Sequence, residues 1–318
     1  MGHDIKTIRQ GFKERGVFYT DPTLATLLKS RMPEDIEEIY DPTCGDGALL
    51  SVFGDDVRKY GQEIDPTQAE AARTRLINCE IATGDTLAAP AFQGHKFRAI
   101  VGNPPFSIKW YPDATEGDER FSDAPCLAPQ SRADFAFLCH ILHYLSDDGV
   151  AAVLEFPGVL YRGSREGKIR EWMVRSNFID EVARIEKGHF VDTNIETCLL
   201  VFRKNRKTNT VRFTDNETQI SRDVPFEEIE ANGFNLSVSS YVSKPEPEKE
   251  EIDPWEEERQ GWESFVRLTE SRIQLSEMVA RIEGWSIIGF LLDLKKVIDT
   301  HLAKNGEICT ESIKQESI

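Results

Sequence analysis

No stretch of this 318-residue chain approaches the eighteen or so consecutive apolar residues that a membrane-spanning helix needs. The opening Met1-Gly2-His3-Asp4-Ile5-Lys6 also lacks the apolar centre of a secretory signal, so the sequence predicts a cytoplasmic protein with no membrane partner. Cysteine is sparse and scattered: Cys44, Cys79, Cys126, Cys139, Cys198 and Cys309 form no C-x-x-C pair, and they read as reduced thiols, neither a disulfide framework nor a zinc site. No internal repeat is present. Positive charge is outnumbered, with 38 Lys and Arg against 55 Asp and Glu, a formal net charge of −17. That balance argues against a chain that grips a polyanion by itself, since phosphate contacts are made by Lys and Arg.

What is present is ordinary globular material, 40% hydrophobic and 29% charged, enough for a full α/β core plus an appendage. Helical and strand-like runs alternate: a helix from Tyr19 to Ser30, strands at Glu37–Asp41 and Gly61–Ile64, a helix from Thr67 to Ile77, and strands at Glu80–Thr83 and Ala99–Gly102. Alternation of this kind predicts a parallel sheet with helices on both faces. Residues 107 to 130 lack periodicity and read as a long loop, a lid or an insertion facing a ligand. Ser131 and Asp134 are spaced as a capping box opening a helix from Ala133 to Leu145. His140 and His143 could share a face with a metal, but their apolar neighbours make a packed helix the simpler account. Further strands are predicted at Gly149–Phe156, Ile179–Ile185 and Thr197–Lys204, the last two close enough to pair antiparallel. The basic run Arg203 to Lys207 reads as a polar hairpin tip, with phosphate contact as the other reading. Eight acidic residues between Glu246 and Arg259 mark a solvated linker, and Trp255 to Ala303 is helical in character with a break near Gly284. The domain expectation is therefore residues 1–244 as the sheet domain and 245–318 as an acidic linker and helical extension, its end frayed from Asn305.

Three strand ends carry acids. Asp41 precedes Pro42-Thr43-Cys44-Gly45-Asp46-Gly47, a glycine loop entering a helix; Glu63 ends the second strand, and Asp85 follows the third. In a nucleotide-binding sheet such positions hold an ammonium group, ribose hydroxyls and an adenine amine, while the glycines admit close backbone approach. The fourth strand runs out into Asn103-Pro104-Pro105-Phe106. Successive prolines fix φ and stiffen the loop. The Asn103 side-chain oxygen and the Pro104 carbonyl can then face one planar amine while Phe106 stacks on its ring, an arrangement suited to methylating an exocyclic amino group.

With these segments in this order the chain resembles the S-adenosylmethionine-dependent N6-adenine DNA methyltransferases, most closely the modification subunits of type I restriction systems. The likeness includes Gly16-Val17-Phe18-Tyr19-Thr20-Asp21-Pro22 ahead of the glycine loop and Ser107 and Trp110 after Phe106. It continues through Phe156-Pro157-Gly158-Val159-Leu160-Tyr161-Arg162-Gly163 with Glu166 and Arg170, through Phe190, Thr193 and Cys198 to Phe202, and closes with Asn235, Leu236 and Tyr241. The chain departs from those subunits in two places. Only about fifteen residues precede the aromatic segment, where they carry a helical domain, and Gly45-Asp46-Gly47-Ala48 stands where a serine and a further glycine are commoner.

The resemblance implies a Rossmann-like sheet of seven mostly parallel strands with a reversed last strand. It implies S-adenosyl-L-methionine as cofactor, held by Phe18, Thr20, Asp41, Thr43, Gly45, Gly47, Glu63 and Asp85, and catalysis by Asn103, Pro104, Pro105 and Phe106 on a flipped-out adenine in DNA, with no metal. It implies as partners a specificity subunit that reads the DNA sequence and, in a full system, a restriction subunit. Methylation of another amine or amide, such as a protein glutamine, and a non-catalytic assembly role are the alternatives.

Overall fold

The computed structural model describes residues 22–112, 117–185, 196–242 and 254–300. The chain divides into two compact units, residues 1–244 and 245–318. Phe18, Thr20, Phe190, Thr193 and most of the acidic run lie outside the described residues.

The first unit is built on one mixed sheet, with nine strands among the described residues in the order β3-β2-β1-β4-β5-β7-β6-β8-β9. The strands are β1 (Glu38–Asp41), β2 (Arg58–Glu63), β3 (Cys79–Thr83), β4 (Phe97–Gly102), β5 (Leu145–Glu155), β6 (Ile179–Ile185), β7 (Thr197–Arg203), β8 (Thr210–Asp215) and β9 (Ile220–Pro225). β1 to β5 are parallel, and β7 is inserted antiparallel between β5 and β6. The reversed seventh strand is therefore where the sequence reading put it, but the sheet has two strands more. β8 adds parallel to β6, and β9 folds back on β8. This pair escapes a reading by apolar runs because polar residues break it up, with Ser221-Arg222-Asp223 in succession on β9; Arg212 and Asp223, paired across it, are exposed and joined at 3.0 Å. The loop from Lys204 is accordingly not a hairpin tip, since β7 and β8 each pair with β6.

Central strands are buried on both sides, which is why they read as unbroken apolar runs. Along β5, Ala151 and Val153 face one core and Ala152 and Leu154 the other. One core is capped by α1 (Pro22–Lys29) and α2 (Pro66–Arg75). Asp65 caps α2, accepting from the Thr67 amide at 2.8 Å, with Pro66 as first helical residue. The other core holds α4 (Asp134–Tyr144), buried nearly all round, and α5 (Ser164–Arg175). Short α3 (Glu119–Ser122) lies inside the expected loop, and α6 (Phe226–Ala231) follows β9.

The expected capping box at Ser131 does not form. Ala133 is the N-cap of α4 and makes no side-chain cap bond, while Asp134 turns to accept from the Ser107 amide at 2.7 Å. Nor is the stretch from 107 to 130 a loose lid where it is described. Trp110, almost fully buried, bonds Gln130 and Pro129 carbonyls at 3.0 Å through its amide and indole nitrogens.

The second unit contains α7 (Pro254–Glu283), ended by Gly284 at φ +74°, and a further helix over residues 288–300. Trp262, Phe265, Leu268, Leu275, Met278 and Ile282 on α7 are exposed. No helix among the described residues is long and apolar enough to cross a membrane.

Candidate active site

The site lies where strand order reverses, between β1 and β4, at the carboxyl ends of the parallel strands. Pairing of Tyr40 with Ile100 sets the ends of β1 and β4 side by side. Asp41 and the Asn103 loop thus emerge at the same edge.

Asp41 is buried, and its Oδ1 accepts from the Thr43 amide at 2.9 Å. Burial without a full countercharge pushes its carboxyl up to about 7, only partly offset by that amide, with Glu63 adding repulsion. Glu63 braces the glycine loop: one oxygen accepts from Gly45 at 3.0 Å and the other from Asp65 at 2.9 Å. A carboxylate oxygen can accept more than one bond, so Glu63 keeps acceptor capacity for hydroxyls. Gly45 (φ +53°) and Gly47 (φ +82°) take left-handed conformations that disfavour any side chain. They serve different ends. A Cβ at Gly47 would come within 2.8 Å of Leu76, whereas one at Gly45 would meet nothing within 4 Å, so the loop is open on the Gly45 side. Thr86 fastens this loop to the end of β3, its hydroxyl donating to Pro42 O at 2.5 Å. Asp85 is exposed beside it, its Oδ1 accepting from Leu87 at 2.9 Å.

An open glycine turn, an acid short of countercharge and two further carboxyls on adjoining strand ends fit a cationic nucleoside ligand. Asp41, Gly45, Gly47 and Glu63 come together; Thr43 adjoins them through its amide, and Asp85 stands one strand further out.

Across the switch point, the Asn103 Oδ1 is buried and Phe106 is half-buried. The loop is held from behind. Asp134, which binds the Ser107 amide, also faces Arg162 Nη1 at 3.5 Å, and Arg162 meets Glu166 at 3.4 Å and the Ser107 hydroxyl at 3.5 Å. Glu155, at the end of β5, is fully buried, and burial with Asp134 nearby holds its carboxyl well above the usual range.

A second buried network is absent from the sequence expectations. Arg120, in α3, donates to His140 Nδ1 at 3.0 Å and to the Thr86 and Leu87 carbonyls at 2.8 and 2.6 Å, and pairs with Asp118 at 2.5 Å. A guanidinium only donates, so His140 Nδ1 must accept; Nε2 then carries the proton and gives it to the Tyr40 hydroxyl at 3.0 Å. Burial, reinforced by Arg120, keeps the His140 pKa well below its usual value, consistent with a neutral ring. His140 is therefore a structural acceptor, and among the described residues no cluster suited to a metal is found. Nothing in the composition of residues 117–122 signals this role. Only an arginine amid a polar stretch marks it.

Of the later motif residues, Arg170 and Leu236 act as supports. Arg170 donates to Phe234 O at 2.7 Å and Arg162 O at 2.7 Å, and Leu236 N bonds Leu160 O at 2.8 Å, fixing the turn that presents Arg162. Within the basic run, Arg206 is spent on Asp180 at 2.9 Å and on backbone carbonyls.

A sheet in this order, with its open glycine turn and acidic strand ends at the switch point, has the class I S-adenosylmethionine-dependent methyltransferase fold. Within it, the chain belongs to the N-6 DNA Methylase family, whose model matches residues 6–223. It is 32% identical to the type I restriction enzyme MpnII methylase subunit of Mycoplasma pneumoniae, over 76% of this chain and 55% of that one. Identity with the MjaVII methylase subunit of Methanocaldococcus jannaschii is 25%, over 85% and 56% of the two chains. Among solved structures, the type I restriction-modification methyltransferase subunit of Streptococcus thermophilus superposes with a TM-score of 0.65 at 30% identity, covering 71% of this chain and 59% of that one. The chain spans about half the length of these curated relatives.

Proposed function

We propose that the chain transfers a methyl group to the N6 amine of an adenine flipped out of DNA, as the modification component of a restriction-modification system. The observation that carries this reading is the Asn103 loop emerging beside Asp41 at the switch point, in a chain of the N-6 DNA Methylase family. S-adenosylmethionine supplies an electrophilic methyl: the amine nitrogen bonds its carbon as the sulfur–carbon bond breaks, and the amine gives up a proton to water.

The protein's part is placement and charge stabilisation. Asp41 takes the ammonium of the methionine portion, Gly45 and Gly47 let it approach the backbone, Glu63 accepts from the ribose, and Asp85 from the cofactor's adenine. Thr43 adjoins that pocket through its amide, and the family likeness assigns Phe18 and Thr20 to the same ligand. Asn103 and the Pro104 carbonyl accept from the target amine's hydrogens, opposing delocalisation of its lone pair. The rigid Pro105 keeps Phe106 positioned to stack on the base, contributing about 1–3 kcal/mol against the cost of unstacking it.

Residues 1–244 would form the catalytic domain and 245–318 an extension that docks a specificity subunit through the apolar residues exposed on α7. Asn103→Ala tests the chemistry. S-adenosylmethionine affinity by calorimetry should stay near the parent's while methyl transfer to DNA at saturating substrate falls at least a hundredfold. Parental turnover in that variant would refute the reading, as would transfer to protein glutamine in preference to DNA.

A further inference from the structure

Behind the Asn103 loop lies an open cleft of about 700 Å³ between the end of the 107–130 stretch and the turn that leads into α5. Arg132, Tyr161, Arg162 and Arg165 line it. Three guanidinium groups thus gather in one cleft of a chain carrying a net charge of −17. Their pairing is unequal. Arg132 and Arg162 are held by the buried Glu166 at 3.2 and 3.4 Å, and Arg162 also by Asp134 at 3.5 Å. Arg165 is exposed and makes no ion pair among the described residues, whereas Arg132 and Arg162 are engaged by buried carboxyls.

Beside these cations Tyr161 stands 56% exposed, where an aromatic ring gains nothing from the core. Cations for a phosphate next to a ring face for a base constitute the chemistry of single-strand binding. The cleft is also tied to the catalytic loop, because Arg162 reaches the hydroxyl of Ser107, the residue after Phe106, at 3.5 Å.

We propose that this cleft receives the nucleotide adjoining the target adenine on the same strand, its phosphodiester held by Arg165 with Arg132 and its base stacked on Tyr161. The proposal rests on the reading that the Asn103 loop acts on a DNA base. It makes the cleft a grip on the extruded strand, separate from the pocket that holds the base undergoing reaction.

Full-length chain titrated against a fluorescein-labelled single-stranded oligodeoxyadenylate, with anisotropy as readout over a range of salt, tests it. Arg165→Gln should weaken binding about tenfold at low salt and reduce the slope of log affinity against log salt by about 0.7, the value for one lost single-strand phosphate contact. Tyr161→Ala should weaken binding about fivefold or more and leave the slope unchanged, since stacking releases no counterion. Arg212→Gln, which removes an exposed cation on the β8–β9 pair, should leave both quantities at parental values. S-adenosylmethionine affinity should be parental throughout. Parental affinity and slope in both cleft variants, or a parent chain that binds no oligonucleotide, would overturn the proposal. If the cleft variants weaken binding as stated while the parent transfers no methyl to adenine in any DNA, the cleft stands and the assigned activity falls.

Discussion

Asp41 shows how one residue can link folding, ligand choice and pH. A carboxyl pushed up to about 7 by burial binds a proton in the folded free protein that the unfolded chain, near 3.8, has released. The free protein therefore loses stability as pH rises from about 4 through about 7, and a cationic ligand beside Asp41 relieves that loss by favouring the charged form. Cofactor affinity should accordingly rise with pH, by up to tenfold per unit, until about 7. Above about 8 the ligand's own α-amino group deprotonates, and affinity should decline again. Calorimetry between pH 5.5 and 9 should show this maximum, with proton release on binding below 7. Asp41→Asn should weaken binding and abolish the acid limb. A flat profile in the parent would separate Asp41 from the ammonium. Most residues of the candidate site were legible in the sequence, because a strand end followed by glycine or proline is written in consecutive residues. Glu155, Asp134 and Arg120 were not, since a buried polar group is recognised only by what surrounds it, and their neighbours come from distant segments.

At the scale of elements, the connection between the Asn103 loop and α4 is the part the sequence misrepresents. Without periodicity it reads as a lid or an insertion facing a ligand, and a lid is the reading that fails, since Arg120 of α3 ties it to the segment after Asp85 and, through His140, to Tyr40 at the end of β1. One guanidinium thereby joins an insertion to the strand that carries Asp41. Truncating it leaves two carbonyls and an imidazole nitrogen buried without donors, at about 1–3 kcal/mol each. Arg120→Ala should lower stability by about 3–5 kcal/mol in urea unfolding and also weaken cofactor binding, because the Thr86 to Leu87 turn loses its support. Arg120→Lys retains the charge but not the fork, and should recover only part of either. Unchanged protease sensitivity between 117 and 130 in the alanine variant would show that other contacts hold the segment. The β8–β9 pair illustrates the converse failure: the structure extends the sheet with strands whose exposed faces are charged, so no apolar run announces them.

The whole molecule combines a complete sheet with a charge of the wrong sign for its proposed substrate. Among the described residues many cations are committed: Arg184 pairs with Glu196, Asp215 and Glu217, Arg206 with Asp180, and Arg222 with Glu228. A specific duplex interface commonly buries on the order of 1,000 Å² of protein surface and is strongly positive. The cleft at Arg165, if it binds as proposed, would offer one or two phosphate contacts, enough to position an extruded strand but not to find a sequence. Affinity for duplex should then be weak, and log affinity against log salt should have a slope no steeper than about −2, against the −5 to −9 of proteins that neutralise six to ten phosphates. Under the proposed function, sequence readout and most of the positive surface would come from a partner, for which the exposed apolar residues of α7 are the proposed docking surface. Purified alone, the chain should bind S-adenosylmethionine and methylate adenine slowly and without sequence preference. Addition of the matching specificity subunit should raise the rate and confine methylation to one site, and replacement of Trp262, Phe265 and Leu268 by serine should abolish that gain while leaving cofactor affinity intact. Site-specific methylation by the chain alone at physiological salt would overturn this division of labour and place the recognition surface within the chain itself.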